Sequence, residues 1–106
     1  MLYKFKSRAT ADLLMLEPVG RQLLEVLGRE PSDQGIFEAD ALPNLMQCLE
    51  QAIAQEEATL EEAEREAQAQ GKTIRRPEVS LRQRFWPMRE MMRRSHAAGQ
   101  PIVWGV

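Results

Sequence analysis

The chain contains one cysteine, Cys48, and one histidine, His96. An intrachain disulfide is therefore impossible, which excludes the small secreted class held together by disulfides. A structural zinc site needs four ligands, usually Cys or His, and one chain offers two. A lone thiol is the usage expected in a reducing cytoplasm. No apolar run approaches the roughly 20 residues of a membrane helix. The opening MLYKFKSRAT has neither an apolar core nor a small-residue cleavage site, so no secretory leader is expected. The six glycines form no phosphate-binding loop: neither Gly20 nor Gly28 has the spacing, and no GK[ST] occurs. The resulting expectation is a cytoplasmic protein with no membrane segment and no cofactor.

What is present fits one α+β domain over residues 1–106. Hydrophobic residues make up 43% and charged residues 28%, ordinary values for a globular protein. Leu2 to Lys6 alternates, with Tyr3 and Phe5 on one side and Lys4 and Lys6 on the other, as in a strand with one solvated face. Ser7 to Ala11 reads as a hairpin loop, and Asp12 to Leu16 as a second strand whose apolar run, Leu13 to Leu16, fits a strand covered on both faces. Pro18 suits the first turn of a short helix with a stripe of Val19, Leu23, Val26 and Leu27, closed by Gly28. Ile36 and Phe37 form either a very short edge strand or a plug in the core. A helical hairpin follows over about 41–98. Asp40 is expected to cap its first helix, whose stripe is Leu42, Leu45, Met46, Leu49, Ile53, Leu60 and Ala63. Gly71 to Pro77 is read as the turn. Ser80, with Gln83 three residues on, opens the second helix as a capping box. Leu81, Phe85, Met88, Met92 and Ser95 share its apolar face, and Pro87 is expected to kink or break it. The terminal PIVWGV supplies a strand over 102–105 that joins the N-terminal hairpin in a small, mainly antiparallel sheet.

The net charge of −2 gives no bulk attraction to nucleic acid or anionic lipid. It hides a separation. Residues 44–70 carry a net −6, and residues 72–94 a net +6. Two antiparallel helices of opposite sign answer each other's charge, which specifies pairing more than it stabilises. Arg82, Arg84, Arg89, Arg93 and Arg94, with Trp86 among them, form a possible basic face for RNA or DNA. An adjacent acidic helix would repel phosphates, so this reading ranks behind intramolecular pairing. The acidic helix thins in apolar character after Ile53, which favours a second copy packing on it as a homodimer.

One polar constellation stands out. Glu56 lies within the apolar stripe between Ile53 and Leu60, while Ser95 lies on the apolar face of the second helix and His96 at its edge. With the turn centred near residues 74–76, Glu56 would face residues 93–96, and Glu56, Ser95, His96 and Arg93 would converge. Two readings follow: a small acid/base or ligand site, or a polar pair that sets helix register. No nucleophile elbow, oxyanion loop or metal partner accompanies the group. Cys48 is read as a small buried thiol at the flank of the stripe, Met46, Met88, Met91 and Met92 as core, and Trp104 as a core anchor beside Gly105.

The segments MLYKFKS, LLMLEP, LGREP, SLRQRFWPM and PIVWGV together resemble an uncharacterised family of small proteobacterial proteins, the domain of unknown function eighteen-forty. The likeness covers nearly the whole chain and is most specific at its two ends; residues 50–78 add little. It implies a bacterial cytoplasmic protein and brings no activity, catalytic residue or cofactor. The sequence thus favours a non-enzymatic interaction or regulatory protein that self-associates, its protein partner unidentified. A small enzyme or ligand binder at Glu56 and His96 comes second, and a nucleic-acid accessory protein third.

Overall fold

Four strands and three helices follow in the order β1 (Leu2–Lys6), β2 (Leu13–Leu16), α1 (Glu17–Val26), β3 (Gly35–Phe37), α2 (Leu42–Ala69), α3 (Leu81–Ala97) and β4 (Ile102–Trp104). The computed structural model describes residues 2–106. All strand pairs are antiparallel, in the spatial order β2-β1-β4-β3. The α+β class, the N-terminal hairpin, the joining C-terminal strand and the long helical hairpin all stand as read from the sequence. Ile36 and Phe37 do both things considered: they form the edge strand β3, and Phe37 is fully buried.

The inner face of the sheet is aromatic because alternate residues of each strand share a side. Tyr3 and Phe5 of β1 stack at 6.1 Å, and Phe37 and Trp104 lie tilted at 4.7 Å. Trp104 also donates its indole N–H to the carbonyl of Ser32 at 3.1 Å, so its one polar atom is paired. Gly105 is held at φ +74, and a side chain there would collide with the backbone of Asp33 and Gln34.

The three helices cover this face. Leu23, Leu24 and Leu27 of α1, Leu42, Leu45, Leu49 and Ile53 of α2, and Phe85, Met88, Met91 and Met92 of α3 complete the core. α1 seats closely on β1, with Gly20 directly over the Tyr3 ring. Asp40 does not cap α2. It lies in a single 3-10 turn, Ala39–Ala41, and α2 begins at Leu42 with no side-chain cap. Ser80 does cap α3: its hydroxyl accepts from the Gln83 amide at 3.1 Å, and the Gln83 side chain accepts from the Ser80 amide at 3.1 Å. α3 runs unbroken through Pro87. The methionines at 88, 91 and 92 are buried as expected, whereas Cys48 is exposed, because the buried stripe of α2 runs through Leu45, Leu49 and Ile53 and leaves position 48 on the solvent side.

The main departure concerns the hairpin turn. α2 ends at Ala69 in a motif where the Lys72 amide donates to the Ala67 carbonyl at 2.7 Å and the Gly71 amide to Gln68 at 3.0 Å. Gly71 takes φ +69, which a residue without Cβ adopts freely. The reversal is thus complete by residue 72. Residues 72–80 then run back along α2 as a non-helical ribbon, with Arg76 paired to Glu64. The reversal lies near residue 70, not near 74–76, and this shifts every facing pair.

Candidate functional site

The helical seam carries most of the charged chemistry. Glu50, Glu57 and Glu64 are seven residues apart, two helical turns each, so they line one face of α2. Arg89 meets Glu50 at 2.8 Å, Arg82 meets Glu57 at 2.8 Å, and Arg76 of the ribbon meets Glu64. Hydrogen bonds from these guanidinium groups hold the Glu57 and Glu64 carboxyls below the usual carboxylate range. Glu90 is lowered likewise by Arg93 and then Arg89. Trp86 sits between Arg82 and Arg89, whose guanidinium carbons lie 5.2 and 5.0 Å from its ring centroid. It braces both arms of the ladder through cation–π contact.

This arrangement accounts for the arginines of the possible basic face. Arg82 and Arg89 are committed to the ladder, Arg93 pairs with Glu90 at 3.2 Å, and Arg84 donates to the Gln22 side-chain oxygen at 2.7 Å. Among the described residues, Arg94 alone of the five has neither an acid nor an amide partner. It lines a shallow, open depression of about 280 Å³ with Thr10, Leu13, Pro87 and Met91.

The polar constellation is not brought together. Glu56 faces the start of α3, and its Oε1 accepts from the Leu81 amide at 3.0 Å. The first amides of a helix have no intrahelical acceptor, and their dipole favours an anion. Glu56 therefore caps α3 across the seam, beside the Ser80–Gln83 box. That explains an acid in an apolar stripe: it pins the register of the hairpin. Ser95 lies at the far end of α3, fully buried, and donates to the Ser7 hydroxyl at 2.8 Å. His96 is exposed, and Arg93 is held by Glu90. The expected convergence fails because the chain reverses near residue 70 and the ribbon of residues 72–80 brings the start of α3, not its end, opposite Glu56. The signal available in the sequence was the capping box itself, whose unpaired amides call for a carboxylate. The sevenfold spacing of Glu50, Glu57 and Glu64 was a second readable signal.

The polar stripe at the end of α2 also finds cover within the chain. Leu60 and Ala63 are half-buried and Ala67 buried, with the ribbon lying alongside. Ile74 and Val79 of the ribbon and Trp86 of α3 are exposed singly, while the exposed leucines cluster elsewhere, on the outer face of the sheet. Leu2, Leu14 and Leu16 are 57%, 56% and 66% exposed, and the strand register sets Leu2 opposite Leu16. They form one leucine corner at the β2 edge. Lys4, opposite Leu14, reaches Asp12 at 3.6 Å and borders the corner. No group of three or more His, Cys, Asp or Glu residues among those described is placed to hold a metal ion. No helix among them is long and apolar enough to cross a membrane.

Fold and surface together define a small α+β protein with an ion-laced helical hairpin on one side of its sheet and a leucine corner on the other. The chain belongs to the family described as a domain of unknown function, DUF1840, whose model matches residues 1–104. No curated protein and no solved structure matched the chain.

Proposed function

We propose that this chain forms one domain that acts as a non-enzymatic interaction or regulatory protein, in a bacterial cytoplasm, through self-association. The observation that carries the reading is the leucine corner. Three leucines more than half exposed on adjacent strands are unusual on a surface where charges are otherwise paired locally. Contiguous apolar patches of a few hundred Å² are commonly interaction sites. The charge ladder points the same way, because arginines committed to glutamates are poorly placed to take up phosphates. The surface depressions are open and shallow, unlike the concave pockets in which small-molecule sites are built.

Multi-angle light scattering across a concentration series tests the proposal. The mass should rise from 12.2 kDa toward twice that value, and Leu16→Lys should hold it at the monomer value. A monomer mass at every concentration refutes the reading.

A further inference from the structure

Resting on that reading, we infer that the occupant of the leucine corner is a second copy of this chain, joined edge to edge through β2 into one continuous sheet of eight strands.

The sheet has two edges, and they are treated differently. At the β3 edge, Arg29 donates to the Ile36 carbonyl at 2.9 Å, and its guanidinium lies over the Phe37 ring at 5.0 Å. A side chain thus occupies that edge. The β2 edge is Leu13-Leu14-Met15-Leu16, with no charge, proline or glycine in the strand. Edges that must stay single usually carry one of those blocking devices.

A twofold axis perpendicular to the sheet keeps the core-facing sides of both copies on the same side. Outward residues must then pair with outward residues, so the axis passes at a residue, and the two centres that keep most of the four-residue strand paired are Leu14 and Met15. Centring on Leu14 would set Asp12 opposite Leu16 of the second copy, an acid against a leucine. Centring on Met15 sets Leu14 opposite Leu16 twice, and with Leu2 beside each Leu16 six leucines become contiguous. On the inner side, the same register places Glu17 of the second copy, which pairs with Arg21 of its own chain at 3.2 Å, opposite Leu13. That is the rim of the depression where Arg94 lies with Asp12 and Glu90; those acids pair with Lys4 and with Arg89 and Arg93, and among the described residues Arg94 is the one α3 arginine without a partner. Charge complementarity and apolar continuity thus select the same register.

The register is read by cross-linking in a Cys48→Ser background. Directly opposed residues in antiparallel strands have Cα atoms about 4.5–5.5 Å apart, within disulfide reach. Leu14 and Leu14 of the second copy would be offset by two positions, about 8 Å, beyond that reach. A mixture of Leu14→Cys chains and Leu16→Cys chains, one carrying a size tag, should give a disulfide heterodimer under mild oxidation. Neither chain alone should cross-link at a comparable rate. Arg94→Glu should weaken the dimer by about tenfold, and adding Glu17→Arg in the same chain should restore it. Dimer mass by light scattering with no heterodimer cross-link, or with Leu14→Cys cross-linking to itself as readily, overturns this arrangement and leaves self-association standing. An unchanged dissociation constant in Arg94→Glu overturns the Glu17 contact. A monomer at all concentrations overturns both proposals.

Discussion

Replacing Gly20 by alanine sets two effects of opposite sign against each other at one atom. Gly20 lies inside α1, where alanine favours the helix by about 1 kcal/mol over glycine. A Cβ at that position would approach the Tyr3 ring closer than any real side-chain contact allows. The ring cannot readily swing aside, because Tyr3 is 4% exposed and stacked on Phe5. With an overlap this deep on a ring that cannot yield, overpacking costs about 2–3 kcal/mol, the upper part of its usual range, so the collision outweighs the propensity gain and the expected net loss is about 1–2 kcal/mol. For a chain of this length that lowers the melting temperature by roughly 5–10 °C. Thermal unfolding followed by far-ultraviolet circular dichroism reads the shift directly. Measured against Tyr3→Leu as the reference, Gly20→Ala should cost little or nothing, since the smaller side chain removes the collision and leaves the helix gain. A Gly20→Ala protein that melts at or above the wild-type temperature would refute the reasoning, by showing that α1 does not rest on Tyr3.

Three further outcomes are expected. The Tyr3 hydroxyl is buried with no hydrogen-bond partner among the described residues, so Tyr3→Phe should be neutral or stabilising by up to about 1 kcal/mol in urea titration. Glu56→Ala removes an acceptor from the first turn of α3 and should cost about 1 kcal/mol by the same method, whereas Ala substitution at the exposed neighbour Gln55 should change little. The carboxyls of Glu57, Glu64 and Glu90 are lowered by their arginines in the folded chain, so the unfolded chain binds more protons as pH drops past its own glutamate value of about 4.3. Their contribution should therefore be complete at neutral pH and fade below about pH 4.5, and 1 M salt at pH 7 should weaken it too; melting temperatures that rise on acidification would contradict the ladder.

Local chemistry made most of the fold legible. Alternation marked β1, and the SLRQ box marked the start of α3. Each of those signals is satisfied by residues within one or two turns. Two kinds of error have a common origin. Asp40 had the chemistry of a cap, yet the chain enters α2 through a 3-10 turn that leaves its side chain unused. The facing of Glu56 depended on where the chain reverses, and composition cannot distinguish a turn spread over residues 71–77 from a tight reversal followed by an extended return. Gly71 held the answer, since a glycine that closes a helix also places the reversal. Cys48 was misread because a position at the flank of a stripe falls inside or outside according to the width of what covers it. The leucine corner lay in plain sight as LLML and Leu2. The LLML run reads as a strand covered on both faces, yet Leu14 and Leu16 are exposed, because a run of apolar residues in a short strand looks alike whether the second face is covered by the same chain or left open.

The return ribbon has a consequence for how this hairpin tolerates change. An extended segment advances about 3.3 Å per residue against 1.5 Å for a helix, so a few residues span a long stretch of α2. Its residues are almost wholly solvent-facing between the anchors at Arg76 and Ser80. An extra residue inserted there can loop outward as slack while α3 keeps its place. An extra residue inside α2 between Glu50 and Glu57 would instead rotate one rung a hundred degrees from its arginine and leave the others behind. Length variation among natural versions of this chain should accordingly gather in residues 72–79 and be scarce between the rungs.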